Sequence, residues 1–155
     1  MSNNEAESLE KRSASKASRG PLFDVLKKSL RLKKPCVNCP FLKEGAIHLR
    51  KGRLEGITQA LIDDDGMDFP CHKTTMASKG GTFDDEGNYV SSGHEAICAG
   101  AIAYQLKAAS QSVRLRMGVA LGVVKLSDWD EARRVTIDPE LPVKRTPLKR
   151  TPSDE

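Results

Sequence analysis

The stretch Cys36-Val37-Asn38-Cys39-Pro40-Phe41 decides how this chain reads. It is a C-x-x-C followed at once by a proline and an aromatic. Such a turn lets backbone amides point at the sulfurs, as metal knuckles require. The chain holds two further cysteines. Cys71 lies in Phe69-Pro70-Cys71-His72-Lys73-Thr74, and Cys98 in His94-Glu95-Ala96-Ile97-Cys98-Ala99-Gly100-Ala101. Four thiols match in number an all-cysteine, four-ligand site. The expectation is therefore that Cys36, Cys39, Cys71 and Cys98 meet at one metal centre. The opposing reading is a redox-active C-x-x-C accompanied by two buried structural thiols.

The metal follows less directly. Structural zinc sites usually draw their ligands as two close pairs, whereas Cys71 and Cys98 are single and far apart in sequence. A [4Fe–4S] cluster accepts one C-x-x-C with distant partners, and the small residues after Cys98 leave room for a cubane. The expected cofactor is thus a [4Fe–4S] cluster, with zinc as the alternative. His72 is an alternative zinc ligand, but in an extended segment its ring would point away from Cys71. His48 and His94 read as surface residues.

Other chemistries fit worse. Pro35-Cys36-x-x-Cys39 is half of a zinc deaminase signature, but that signature needs H-x-E before it, and His94-Glu95 comes after with no intervening residue. A thioredoxin-like site expects C-x-x-C at a strand-to-helix junction, whereas this one follows a helix pattern and a proline. Asp63-Asp64-Asp65-Gly66 fails as a calcium loop, because placing Gly66 at position six puts Leu61 at position one. The sequence offers no phosphate-binding glycine loop, nucleophile elbow or paired-carboxylate pattern.

Periodicity gives a mostly α reading, with a small α+β fold as the variant. Pro21 suits a first helical turn, and Phe23, Leu26 and Leu30 follow at helical spacing up to Pro35. A second helix is expected over 51–63 around Leu54, Ile57 and Leu61. Residues 77–93 are rich in Gly and Ser, with a small hairpin about Phe83 and Tyr89. Ser92 and Glu95 form a capping-box pattern, so a helix is expected from Ser92 through Cys98 to about Ala109. Cys98 would then lie one to two turns inside it. The last helix is expected over 112–126, burying Val113, Met117, Ala120, Leu121 and Val124, with Trp129 closing the core.

The ends differ from the middle. Residues 1–20 are polar and expected to be a disordered arm. Residues 21–136 read as the metal-binding domain, and 137–155 as a disordered Pro-rich basic tail. Residues 1–35 carry nine Lys/Arg against four Asp/Glu, and residues 36–142 twelve against fifteen. Residues 143–155 carry four against two. Net charges of +5, −3 and +2 put the positive charge at the ends. Lys27, Lys28, Arg31, Lys33, Lys34, Lys144, Arg145, Lys149 and Arg150 are the candidate polyanion-binding residues. Met1–Gly20 has no apolar core of a secretory signal, so the expected location is the reducing cytoplasm, where four cysteines suggest metal or redox chemistry. No apolar run reaches the roughly 18–20 residues of a membrane span, so no membrane partner is expected.

Four blocks resemble a family of small uncharacterised proteins of bacteria and their phages, a domain of unknown function. They are Cys36-x-x-Cys39-Pro40-Phe41, Leu49-Arg50-x-Gly52-Arg53-Leu54-Glu55-Gly56-Ile57, Phe69-Pro70-Cys71-His72-Lys73-Thr74 and Cys98-Ala99-Gly100-Ala101. The resemblance spans residues 35–126. It implies no activity, but it implies that the four cysteines act as a set. The expected function is a non-enzymatic metal-binding accessory protein, associating with nucleic acid or a complex that processes it. The alternative is a redox protein using the cluster or the C-x-x-C thiols.

Overall fold

A computed structural model describes residues 20–75 and 80–147. The expected arm over 1–19 and the tail from 148 on, with Lys149 and Arg150, lie outside the described residues. The described chain is mostly helical. Its elements are α1 (Gly20–Ser29), α2 (Arg53–Asp63), α3 (His72–Thr75), β1 (Thr82–Phe83), β2 (Tyr89–Val90), α4 (Ala99–Lys107), α5 (Val113–Ala120), a 3-10 turn (Leu126–Trp129) and α6 (Asp130–Val135). Among the described residues no helix is long and apolar enough to cross a membrane.

Helix α4 is the spine. Every residue from Ala99 to Gln105 is buried. One side, with Ala99, Ile102 and Ala103, joins Leu26 of α1, Leu30 just beyond it, Leu115, Val124, Trp129 and Ala132 in one apolar cluster. The other side, with Ala101, Tyr104 and Ala108, joins Phe41, Leu61, Ile62, Cys39, Cys71 and Cys98 in a second. A helix buried on both sides cannot be amphipathic, and a run of Ala and Gly lets both layers approach closely. Trp129 is fully buried and its indole N–H donates to the Leu32 carbonyl at 2.9 Å, tying the C-terminal helices to the segment after α1.

Helix α4 starts later than the capping pattern predicts. Between Glu95 and Cys98 the backbone amides are already taken by other segments. Ala96 N donates to Thr74 Oγ1 at 3.1 Å, Ile97 N to Ser29 O at 2.8 Å and Cys98 N to Phe69 O at 2.8 Å. These residues form an extended bridge with Pro70, and helical bonds begin only beyond Cys98, which is the N-cap. Helix α1 likewise ends at Ser29, before Pro35.

Helix α5 corrects the expected buried stripe. Val113, Met117 and Leu121 are 40%, 36% and 47% exposed, while Leu115 and Gly118 are buried. The phase is set by contact with α1, where a Cβ at Gly118 would lie 2.5 Å from Leu30 Cδ1. Ser112 caps the helix by accepting from Leu115 N at 3.2 Å. Gly122, with φ of +69°, turns the chain away, so the helix stops at Ala120 and not at 126.

The chain does not leave the domain at residue 136. Ile137 N donates to Phe41 O at 2.8 Å, Lys107 Nζ reaches Asp138 at 2.8 Å, and Thr146 N donates to Asp63 at 2.7 Å. Residues 137–146 thus cross the surface as an irregular strap.

The expected hairpin is present, with Phe83 paired to Tyr89. It is anchored on Glu95. The Glu95 carboxylate accepts from Ser91 Oγ at 2.5 Å, Tyr89 Oη at 2.6 Å, Ser92 N at 2.9 Å and Gly93 N at 3.0 Å. The Ser91 hydroxyl, followed by the Tyr89 hydroxyl and the Ser92 amide, holds this carboxyl well below the usual carboxylate range. A depressed folded-state pKa adds stability that is complete above the unfolded value, about 4.3, and is lost as pH falls below it. Urea stability should therefore decline on acidification below about pH 4.3, and Glu95→Gln should be less stable at neutral pH with a flatter acid limb. An unchanged acid limb in Glu95→Gln would rule out this anchor.

Candidate thiol centre

Two short backbone pairings assemble the cysteines. In the first, Cys71 N donates to Ala96 O at 2.7 Å and Cys98 N to Phe69 O at 2.8 Å, placing Cys71 and Cys98 on adjacent extended segments. In the second, Leu42 pairs with Thr136, Lys43 N donates to Val135 O at 2.9 Å and Ile137 N to Phe41 O, which fixes the exit of the C-x-x-C. The C-x-x-C itself is a tight turn. Cys39 N donates to Cys36 O and Leu42 N to Cys39 O, both at 3.1 Å. Asn38 adopts φ of +57°, a left-handed conformation that Asn accepts more readily than most residues.

All four cysteines are free thiols; Cys39, Cys71 and Cys98 are buried and Cys36 is half-buried. Cys39 Sγ and Cys98 Sγ are 3.5 Å apart. The Cys71 and Cys39 thiols are close enough to Cys36 to raise its pKa. Of the four thiols, Cys39 and Cys98 are the pair in direct contact, and Cys36 and Cys71 influence each other electrostatically. Among the described residues, no three or more His, Cys, Asp or Glu side chains are gathered into the arrangement that encloses an ion.

The thiols differ in their electrostatics. Cys39 is lowered to about 7, first by the Cys98 thiol donating to it, and further by the Phe41 amide, the Cys36 thiol and the Gly100 amide, against the opposing effect of burial. Cys98 is pushed far up because it supplies that proton and is buried. Cys36 is pushed up to about 12 by burial and by the neighbouring Cys71 and Cys39 thiols. Backbone amides of Gly100 and Ala101 also favour charge on Cys98. Cys98 sits at the start of α4, so these first-turn amides are free to face sulfur.

Gly100 belongs to the site, for a reason the sequence hints at only through Cys98-Ala99-Gly100-Ala101. A Cβ there would lie 2.7 Å from Cys39 Sγ and 2.9 Å from Phe41 Cβ. The slim face of α4 is thus filled by the Cys39 sulfur and the Phe41 ring. Phe41 packs edge-on to Phe69, with centroids 5.4 Å apart, which closes the apolar side of the centre.

His72 does not point away from the thiols. It begins the helical turn α3, and its ring nitrogens lie 3.9 and 4.0 Å from Cys36 Sγ. Burial and Lys73 lower its pKa, keeping the ring neutral and able to act as a ligand. His48 and His94 are both exposed.

The basic candidates divide. Lys33 pairs with Asp128 at 3.5 Å and lies 4.1 Å over the Trp129 ring, and Lys34 pairs with Glu131 at 3.2 Å. Arg31 donates to the carbonyls of Lys28 and His94, and Arg145 to Ser110 Oγ. Lys27, Lys28 and Lys144 are exposed, without a side-chain hydrogen bond or ion pair among the described residues.

No family model, curated protein or solved structure matches this chain.

Gly100→Ala should lower stability by about 1–3 kcal/mol, the usual cost of forcing extra volume into a packed core. It should also disturb the Cys39 thiol more than the other three. Urea denaturation together with the rate of Cys39 alkylation checks this. A fully stable Gly100→Ala protein with unchanged Cys39 reactivity would contradict the close approach.

Proposed function

We propose that Cys36, Cys39, Cys71 and Cys98 bind one zinc ion, which completes the fold of a small non-enzymatic domain. The observation that carries this reading is the 3.5 Å Cys39–Cys98 pair, met by backbone amides, with His72 beside Cys36. A zinc–sulfur bond of about 2.3 Å in a tetrahedron separates sulfurs by about 3.8 Å, close to that pair. The α4 backbone at Gly100 lies close against Cys39 and fixes that sulfur in place. The donor set is also what zinc takes in structural sites.

A second reading keeps the [4Fe–4S] cluster. Its thiolates spread more widely around a larger core, and the described side chains include no enclosed single-ion group. Either group would be held by the same four thiolates, with His72 in reserve beside Cys36. When bound, the metal supplies coordination free energy and cross-links the segments carrying residues 36–39, 71 and 98. The residues themselves exclude water through Phe41 and Phe69 and stabilise thiolate through the amides of Phe41, Gly100 and Ala101.

The domain's role is that of an accessory protein associating with nucleic acid or with a complex that acts on it. The support is the unneutralised basic surface. The competing class is a redox protein. The contact between Cys39 and Cys98 favours a disulfide between those two over one within the C-x-x-C.

Elemental analysis of anaerobically purified full-length protein, with its visible spectrum, tests these readings together. One zinc per chain and no colour is expected; broad visible absorption with iron and sulfide would replace zinc by the cluster, and metal-free protein would leave the redox reading. Cys71→Ser should lose the metal and several kcal/mol of stability, since structural zinc contributes roughly 10–16 kcal/mol in small fingers. His72→Ala should keep it; loss of metal in His72→Ala would move the ligand set onto histidine.

A further inference from the structure

We infer that the loop carrying His48, Arg50, Lys51 and Arg53 contacts the phosphate backbone of duplex nucleic acid. This rests on the association with nucleic acid proposed above and names the surface responsible. Residues 45–54 contain three Arg/Lys and no Asp/Glu. All four basic side chains are exposed, and none makes a hydrogen bond or ion pair among the described residues. Many cations elsewhere in the fold are paired, although Lys27, Lys28 and Lys144 are not. Lys33, Lys34, Lys43, Lys107, Arg114 and Arg116 each hold a carboxylate of the same chain. Positive charge left uncompensated and concentrated in one loop is the electrostatic footprint of a polyanion site.

The loop also has a shape. With Pro40, Leu42, Leu49 and Leu54 as its apolar floor, it lines a depression of about 360 Å³ in which Glu55 is the single acid. No Phe, Tyr or Trp lines it, so beyond the His48 ring bases have little stacking platform. What such a surface can recognise is phosphate, and a duplex presents phosphates without requiring stacking. The loop is held in place by the centre. Ile47 N donates to Asn38 O inside the C-x-x-C turn at 3.0 Å, and Arg53 N to Arg50 O at 3.0 Å. Holding Cys36 and Cys39 thereby holds the basic loop.

The test uses the full-length protein and fluorescence anisotropy with a random-sequence DNA duplex across a NaCl series. Arg50→Gln/Lys51→Gln/Arg53→Gln should bind at least tenfold more weakly and flatten the log K against log salt slope by about 0.9 per lost phosphate contact. Metal content equal to the parent shows that the variant is folded. If it is not equal, Arg50→Lys/Arg53→Lys replaces it and should retain binding and slope. A triple variant with the parent's affinity and slope overturns the inference while leaving the association standing. A parent protein with no salt-dependent binding to any nucleic acid overturns both. Stronger binding to the separated strand than to the duplex overturns the duplex assignment.

Discussion

The pairing of Phe69-Pro70-Cys71 with Ala96-Ile97-Cys98 is the contact on which the rest depends. It is only one isolated bridge, yet it consumes the amides of Cys71 and Cys98 and sets their sulfurs on one side of α4. It ends the extended segment at Cys98, so α4 begins where a thiol can meet first-turn amides. It also leaves Ile97 N to bond Ser29 O, which brings α1 against α4. One short bridge thus orders the thiol centre, starts the central helix and seats the first helix. Two hydrogen bonds contribute little by themselves, about 1 kcal/mol each net. Their leverage comes from closing a loop across which the two cysteines would otherwise be distant, a closure that a metal would reinforce.

A spine buried on two sides constrains composition tightly. The Ala and Gly of α4 bury little apolar area each, so the clusters draw their stabilisation from Trp129, Phe41, Leu30, Leu61 and Ile102, which are buried to below 2%. These few large side chains come from five segments of chain. A domain with so few of them is poorly supported without a cross-link, which gives a shared four-thiol site a physical reason to exist in this fold.

What was legible in the sequence follows from whether local or distant contacts decide a residue's conformation. Helix α2 and the hairpin about Phe83 and Tyr89 were readable because their own spacing and turns fix them. The capping pattern Ser92–Glu95 was misleading in an instructive way. Its Glu does reach back to the Ser92 amide, but it also serves the Tyr89 and Ser91 hydroxyls, and the next three amides are claimed by Thr74, Ser29 and Phe69. Long-range partners overrode a local signal. The same holds for α5, whose phase comes from Leu30 pressing on Gly118, and for His72, which turns inward because Cys71 is followed by a helical turn and not by more strand. The contact of Cys39 with Cys98, 59 residues further along the chain, was not legible, because it depends on the long-range pairing of two extended segments.

Charge tells the same story on the surface. Counting Lys and Arg placed the polyanion surface at the ends, because the middle of the chain is net acidic. The fold rearranges that account. The carboxylates of Asp128 and Glu131 fold back onto Lys33 and Lys34, while Asp138 serves both Lys43 and Lys107. Part of the chain's charge of both signs is thereby neutralised within the fold. Exposed ion pairs of this kind add little stability, but they cancel potential. The field that reaches an approaching polyanion is then set by the cations left without partners. The basic loop over 45–54 therefore keeps its charge although it lies within a net-acidic segment, a local excess that a count by segment averages away.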